Sequence, residues 1–187
     1  MFFPVFLRVL VVTGVFMPVF AAAGPLKIIA FGDSLTAGYG LASTDGFSVQ
    51  LDAAVKGRGF DVDIIKAGVS GDTTSGGRAR LDWSLGNQAD GVIMALGGND
   101  MLRGISPLLV RENLEAMLQS LQARALPVLL VGMRASPNLG AVYEQEFNAI
   151  FPELAAKYDV LFYPFFLEGV AAEALLNQPD GIHPSAE

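Results

Sequence analysis

Residues 27–36 have the sequence KIIAFGDSLT, in which a short apolar run passes directly into a small polar turn. The apolar run is predicted to form a strand, and the Gly-Asp-Ser turn that follows ends it. Along the rest of the chain, apolar runs of strand length alternate with longer segments of helical spacing, four or five times over. This alternation is typical of parallel strands joined by right-handed crossovers. We therefore predict an α/β fold, a three-layer α/β/α sheet of about five parallel strands.

The predicted elements follow the apolar spacing. Strands are expected at 27–31, 62–65, 91–96, 127–131 and 160–162. Helices are expected at 47–55, at about 79–85 after a loop at 68–77, from 107 to about 121, and at 143–158. The sequence shows no linker or internal repeat, so residues 24–187 are predicted to form a single domain.

The N-terminus has the pattern of a secretory signal peptide. Residues 1–23 contain a single cationic side chain, Arg8, then an apolar run, and end in three alanines. A retained membrane anchor is the alternative, but the run is short for a span and is broken by Pro18. We therefore expect cleavage after Ala23, a periplasmic or secreted protein, and no stable membrane span in the mature chain.

The C-terminus departs from the expected pattern, because a doubly wound sheet normally receives one more helix after its last strand. Pro184 is suited to begin such a helix, yet the sequence stops at Glu187. We expect that the C-terminus is truncated and the final helix missing. The expected cost is an apolar face left without cover.

Composition excludes several classes of function. The formal net charge is -7 and no basic stripe is present, so a nucleic-acid partner is not expected. The chain has no cysteine, which excludes a thiol nucleophile and a disulfide framework. It has one histidine, His183, so a metal site with several histidines is excluded.

Four polar segments are predicted to lie beyond the ends of strands or in the terminal loop, where open α/β sheets bind ligands. They are GDSLT at 32–36, AGVSGD at 67–72, GGND at 97–100 and DGIH at 180–183. Together they supply a hydroxyl, unobstructed backbone N–H groups, a carboxamide and an Asp/His pair. These groups are what acyl transfer requires.

Each group has a candidate role in that chemistry. Ser34 is a weak nucleophile alone and needs a base, for which His183 is the available imidazole. A turn at Asp180 would bring its carboxylate beside that ring and orient it. The negative charge that develops on the carbonyl oxygen could be received by the Asn99 side chain and by the N–H groups of Gly71 and Ser34.

Taken singly, each segment has an ordinary structural interpretation. Residues 32–34 could be a helix-capping turn, Gly71 a loop glycine, Asn99 an Asx turn and residues 180–181 a simple turn. A lone histidine is usually a surface or core residue. The catalytic interpretation is favoured because all four segments occur in order and include the single histidine of the chain.

The four segments resemble the sequence blocks of the SGNH (GDSL) hydrolases, in particular the bacterial periplasmic thioesterase I, lysophospholipase and arylesterase group. The resemblance covers nearly all of residues 24–187. It implies a flavodoxin-like sheet, no metal or other cofactor, and hydrolysis of esters and acyl thioesters. It also implies Ser34 as nucleophile, Gly71 and Asn99 as oxyanion donors, and Asp180 and His183 as the remainder of a triad. By the same resemblance, three residues are candidate acyl contacts, with ordinary loop packing as the alternative: Met101, Leu102 and Ile105.

The resulting hypothesis is an exported serine hydrolase that forms an acyl-enzyme on Ser34. Its expected partners are small acyl esters or thioesters, with lysophospholipids as one candidate class. One alternative is a carbohydrate O-acetyl esterase on the same fold, against which the apolar pair Met101-Leu102 argues. The other alternative is an inactive periplasmic binding protein.

Overall fold

The computed structural model describes residues 24–86 and 89–187. The predicted signal peptide at 1–23 lies outside the described residues. The strands are β1 (Leu26–Gly32), β2 (Val62–Gly68), β3 (Gly91–Ala95), β4 (Val128–Val131) and β5 (Leu161–Tyr163). The helices are α1 (Ser34–Ala37), α2 (Phe47–Gly57), α3 (Thr74–Leu85), α4 (Gly98–Leu102), α5 (Pro107–Ala123) and α6 (Ala141–Tyr158), with a 3₁₀ turn at Pro137–Leu139. Within the described ranges, none of these helices combines the length and apolar character that crossing a membrane requires.

The five strands form one parallel sheet in the order β2-β1-β3-β4-β5. This order is the flavodoxin-like one, and it confirms the predicted α/β fold with five parallel strands. Strand β1 lies between β2 and β3, with Leu26 opposite Val62 and Ile28 opposite Gly91. The strand order reverses direction between β1 and β3. The crevice at their carboxyl ends is therefore where this topology places a ligand site.

The direction of the crossovers assigns the helices to the two faces of the sheet. The connection through α2 moves one way along the sheet, whereas those through α3, α5 and α6 move the other way. Because parallel crossovers are right-handed, α2 lies on one face and the other three on the opposite face. In agreement, α3 packs on α5 and α5 packs on α6, while α2 packs on β2.

The hydrophobic core lies between the sheet and the layer formed by α3, α5 and α6. Its largest fully buried side chains are aromatic residues of β1 and α6 together with aliphatic residues and methionines of β3 and α5. They include Phe31, Phe147, Phe151, Met94, Leu114, Met117 and Leu121. On the other face the cover is less complete, since Leu161 is 71% exposed and Tyr163 47% exposed.

Helix α3 begins earlier than the sequence predicts. The sequence predicts a loop over residues 68–77, and Gly76 and Gly77 have low helix propensity. However, α3 starts at Thr74, with Thr73 Oγ1 accepting a hydrogen bond from the Gly76 N–H at 3.3 Å. A Cβ on Gly77 would lie 2.3 Å from a methyl group of Leu96. Close packing of the helix on the chain after β3 therefore outweighs the local propensity. The short helices α1 and α4 were also not predicted.

Candidate active site

The candidate nucleophile stands at the carboxyl end of the central strand. Asp33 follows β1 and caps α1, its Oδ1 accepting the N–H of Leu35 at 3.1 Å. Ser34 is the first residue of α1 and is only partly buried. The turn is tight, because a Cβ on Gly32 would lie 2.6 Å from the carbonyl oxygen of Ala95. Glycine at position 32 thus allows the chain to turn sharply and place the Ser34 hydroxyl at the sheet edge.

The structure brings Ser34, His183 and Asp180 into one hydrogen-bonded chain. His183 Nε2 lies 2.9 Å from Ser34 Oγ, and His183 Nδ1 lies 2.7 Å from Asp180 Oδ2. The other oxygen of Asp180 accepts the backbone N–H groups of Ile182 and His183, each at 3.0 Å. With Nδ1–H donated to the carboxylate, Nε2 is left as the acceptor for the serine hydroxyl proton. The arrangement is the one in which an imidazole can act as a general base on a hydroxyl.

The electrostatic state of Asp180 suits this arrangement. The hydrogen bond from His183, followed by the two backbone N–H bonds, lowers the pKa of Asp180 from 3.8 to about 2. Asp180 is therefore ionised at neutral pH and remains so well into the acidic range. An ionised carboxylate orients the ring and stabilises the imidazolium that forms when the serine proton is taken up.

Asn99 and Gly71 lie in loops that are tied to the nucleophile turn. The Asn99 Nδ2 group donates to the carbonyl oxygen of Asp72 at 2.9 Å, and it makes only a long 3.4 Å contact with Asp33 Oδ2. One N–H of this amide is thus held by the backbone, and the other makes only the long contact, so it is available as a donor. Gly71 has φ of 82°, in the left-handed region that favours glycine, and its carbonyl oxygen accepts a 2.8 Å bond from Arg103.

A buried polar network begins at Asp100, the residue next to Asn99. The carboxylate of Asp100 is fully buried and accepts the Thr74 N–H at 2.8 Å and the Thr74 hydroxyl at 2.7 Å. Asn113 of α5 donates to the same hydroxyl at 3.3 Å and to Ser75 Oγ at 2.9 Å. Because each buried group has a partner, the network joins α3, α4 and α5 at fixed positions behind the site.

Arg80 of α3 ties together the carboxyl ends of β1 and β2. Its guanidinium donates to the carbonyl oxygens of Gly32 at 2.7 Å and Ala67 at 2.9 Å, and to the carboxylate of Asp72 at 2.6 Å. It also lies 4.2 Å from the centre of the Phe31 ring. One cation thus holds the two strand ends from which the candidate nucleophile and oxyanion loops depart.

The carboxyl group of Asp33 has a pKa well above its ordinary value. Burial, which leaves the residue 1% exposed, raises the pKa of Asp33 from 3.8 to about 6. The hydrogen bond from Leu35, the charge of His183 and the contact with Asn99 act in the opposite direction. A buried carboxyl next to a candidate nucleophile is a common feature of functional sites.

A pocket of about 590 Å³ opens beside Ser34 and His183. Its lining is mainly apolar and comes from the turn after α1, from α2, from β3 to β5 and from the loop after β5. The lining residues include Tyr39, Leu41, Phe47, Leu51, Ile93, Leu129, Val131, Phe166 and Val170. Ile93, Leu129 and Val131 are side chains of β3 and β4, so this pocket lies over the face of the sheet on which α2 packs, where the cover of the sheet is incomplete.

The three predicted acyl contacts do not line this pocket. Met101 and Ile105 are partly buried and pack against the core, while Leu102 is 54% exposed. The structure places them on the loop that follows Asn99, so their contact with an acyl chain stays a prediction.

Several residues at the site could not be predicted from the sequence alone. Tyr39 lies outside the four polar segments that the sequence singles out, yet its ring packs on His183 with a centroid distance of 4.7 Å. Arg80 and Gln178 contact the site loops through long-range bonds to backbone carbonyls. A backbone carbonyl leaves no trace in the sequence, so such bonds could not be predicted.

Comparison with known proteins gives results that agree with this geometry. Residues 30–187 match the model of the GDSL-like Lipase/Acylhydrolase family. The chain is 39% identical over 166 residues to "Esterase TesA" of Pseudomonas aeruginosa, covering 88% of this chain and 82% of that protein. It is 36% identical over 169 residues to "Thioesterase 1/protease 1/lysophospholipase L1" of Escherichia coli K12, covering 90% and 80%. Among solved structures, that of AlinE4, described as an SGNH-hydrolase family esterase, matches with a TM-score of 0.82 and 48% identity over 89% of each chain.

Proposed function

The chain belongs to the GDSL-like lipase/acylhydrolase family of carboxylic ester hydrolases, and we propose that it works through an acyl-enzyme on Ser34. The observation that carries the proposal is the chain of short contacts from Ser34 Oγ through the His183 imidazole to the Asp180 carboxylate. Hydrolysis of a carboxylic ester needs a base at the attacking hydroxyl and an orienting group behind that base. The distances of 2.9 Å from Ser34 to His183 and 2.7 Å from His183 to Asp180 support these two roles.

In the first half of the reaction, His183 Nε2 takes the proton of Ser34 as its Oγ bonds to the carbonyl carbon of the ester or thioester. The carbonyl oxygen becomes an oxyanion, which Asn99 Nδ2 and the N–H groups of Gly71 and Ser34 stabilise. When the bond to the leaving alkoxide or thiolate breaks, the imidazolium returns the proton to the leaving atom. The products are a free alcohol or thiol and an ester on Ser34.

In the second half, a water molecule replaces the leaving group. His183 takes one proton from the water as its oxygen attacks the acyl carbon, and the same oxyanion donors act again. The proton then passes to Ser34 Oγ as the acyl–serine bond breaks, which releases a carboxylic acid and restores the enzyme. Asp180 stays ionised throughout because its pKa is about 2.

The relatives compared above support carboxylic esters and acyl thioesters as the substrate class, since one is named an esterase and the other a thioesterase and lysophospholipase. Lysophospholipids, acyl thioesters and simple aryl or alkyl esters are therefore the proposed substrates. The apolar pair Met101-Leu102 follows Asn99 in α4, and Leu102 is 54% exposed, which disfavours an O-acetyl ester of a carbohydrate. Export to the periplasm is part of the proposal and is supported by the sequence pattern of residues 1–23.

The experiment is a substrate profile with p-nitrophenyl esters from acetate to dodecanoate, together with an acyl thioester and a lysophospholipid. Ser34→Ala is the inactive control, and labelling by a fluorophosphonate probe reports the activated serine independently of substrate. We expect activity that increases beyond acetate, labelling of the native chain and neither in Ser34→Ala. Full activity in Ser34→Ala would refute the mechanism, and strict preference for acetate would favour the carbohydrate alternative.

A further inference from the structure

The candidate base is carried by a segment that has no regular secondary structure. After β5, the described residues 164–187 form turns and bends, with one isolated bridge between Asn177 and Pro184. A helix or strand holds a side chain through its own backbone ladder, but a loop must be held by contacts with other elements. The position of His183 relative to Ser34 therefore depends on what fastens this loop to the rest of the molecule.

Gln178 makes the hydrogen bonds that bridge this loop and the nucleophile turn. Its backbone N–H donates to the carbonyl oxygen of His183 at 2.7 Å. Its side-chain Nε2 donates to the carbonyl oxygen of Pro184 at 2.9 Å and to that of Tyr39 at 2.7 Å, across 139 positions of sequence. One amide thus bonds the residue after the base and a residue beyond α1 at the same time.

Tyr39 completes the connection from the nucleophile side. Its N–H donates to the carbonyl oxygen of Ser34 at 3.1 Å, which fixes the turn to the nucleophile itself. Its ring packs on the His183 imidazole at a centroid distance of 4.7 Å and an interplanar angle of 38°. Gly40 makes room for Gln178, because its φ is 76° and a Cβ there would lie 2.1 Å from Gln178 Oε1.

From these contacts we propose that Tyr39 and Gln178 form a clamp that positions the base. Its contacts form a closed ring: Ser34 bonds to Tyr39, Tyr39 to Gln178, Gln178 to His183, and His183 to Ser34 Oγ. Its two parts act differently: the Gln178 amide sets where the loop lies, and the Tyr39 ring limits the tilt of the imidazole. Both are positioning residues, since they act on the reacting groups through His183. The inference rests on the proposed function, because it assigns the clamp to the same base.

The first test replaces Gln178 by Met, which has a similar length but no N–H to donate. We expect kcat to fall about 10- to 100-fold while KM stays within about three-fold, since a small displacement of a catalytic group is costly and the pocket is left in place. The rate of fluorophosphonate labelling should fall in the same proportion. The matched control is Asn177→Ala, which removes two bonds within the loop, to Val170 and Glu173, but none to the nucleophile turn. A kcat for Gln178→Met within two-fold of the native value, or an equal loss in Asn177→Ala, would overturn the proposal.

The second test uses the Tyr39 ring. Tyr39→Leu should lower kcat about 5- to 10-fold with little change in KM, and Tyr39→Phe should restore it, because the ring rather than the hydroxyl contacts His183. Equal activities of the Leu and Phe variants would contradict the assigned role of the ring. This pair keeps the inference testable even where a Gln178 variant folds poorly.

A third measurement does not depend on activity. The chain has one histidine, so histidine-labelled protein gives the NMR signals of a single imidazole. We expect a sharp Nδ1–H signal in the native protein and its loss or broadening in Gln178→Met, but not in Asn177→Ala. The proposed function fails if the native chain neither hydrolyses esters nor is labelled at Ser34. Only the clamp fails if the native chain does both and the imidazole signal of Gln178→Met stays sharp.

Discussion

The Nε2 atom of His183 lies 2.9 Å from the hydroxyl oxygen of Ser34, although 149 positions of sequence separate the two residues. In the proposed mechanism this contact makes the nucleophile and its base act as one unit, so that either one alone would retain little of the function. Side chains that act in this way show strongly non-additive effects when they are removed.

We therefore predict that Ser34→Ala and His183→Ala each lower kcat by roughly 10⁴- to 10⁶-fold, and that the double variant is no worse than either single one. Steady-state hydrolysis of a p-nitrophenyl ester at saturating substrate measures all three. A double variant that loses the product of the two single effects would show that the residues act independently, contrary to the geometry.

The amide of Asn99 gives a second prediction. Asn99→Ala removes the proposed side-chain oxyanion donor and should lower kcat about 10²- to 10³-fold, with KM nearly unchanged because the ground-state carbonyl is bound weakly. Asn148→Ala is the matched control: Asn148 accepts the Ala135 N–H at 2.8 Å and has no role in the proposed mechanism. Its loss should lower stability and leave kcat unchanged. A large rise in KM for Asn99→Ala would instead indicate a role in substrate binding.

The sequence predicts the fold well, and it identifies side chains that the structure brings together at the sheet edge, because both leave local patterns. Apolar runs identified all five strands, and the turn residues after β1, β2 and β3 indicated which loops meet at the sheet edge. The predicted start of α3 was wrong because Gly77 packs closely against Leu96. This is a tertiary contact, which a local sequence pattern does not reveal. Tyr39 and Gln178 were missed for a similar reason, since what joins them is a bond to a backbone carbonyl.

Arg80 gives a prediction about stability. Its guanidinium donates hydrogen bonds in three directions, to Gly32, Ala67 and Asp72. A lysine ammonium cannot reach all three acceptors. Arg80→Lys should lower the free energy of unfolding by about 2–3 kcal/mol, measured by urea denaturation. The control is Lys56→Ala, which breaks exposed ion pairs with Asp52 and Asp63 and should change stability by less than about 1 kcal/mol. Equal effects of the two substitutions would show that Arg80 does not hold the strand ends together.

The buried carboxyl of Asp33 gives a prediction about pH. Its pKa is raised from 3.8 to about 6, chiefly by burial, so between these values the folded chain binds its proton more tightly than the unfolded chain does. The contribution of Asp33 to stability is therefore present in full below about pH 4 and is lost as the pH rises through 6. Asp33→Asn has no proton to lose and keeps an oxygen that can accept the Leu35 N–H. Relative to the native chain, the variant should gain stability between pH 4 and pH 8, by up to about 3 kcal/mol.

Urea unfolding of both proteins at pH 4, 6 and 8 measures this difference. The gain should be nearly the same at low and high salt, since a buried group is little screened. If the difference in unfolding free energy between the variant and the native chain were the same at all three pH values, Asp33 would titrate alike in the folded and unfolded chains. Its burial beside Ser34 would then carry no electrostatic cost, and the carboxylate form would be as well accommodated there as it is in water.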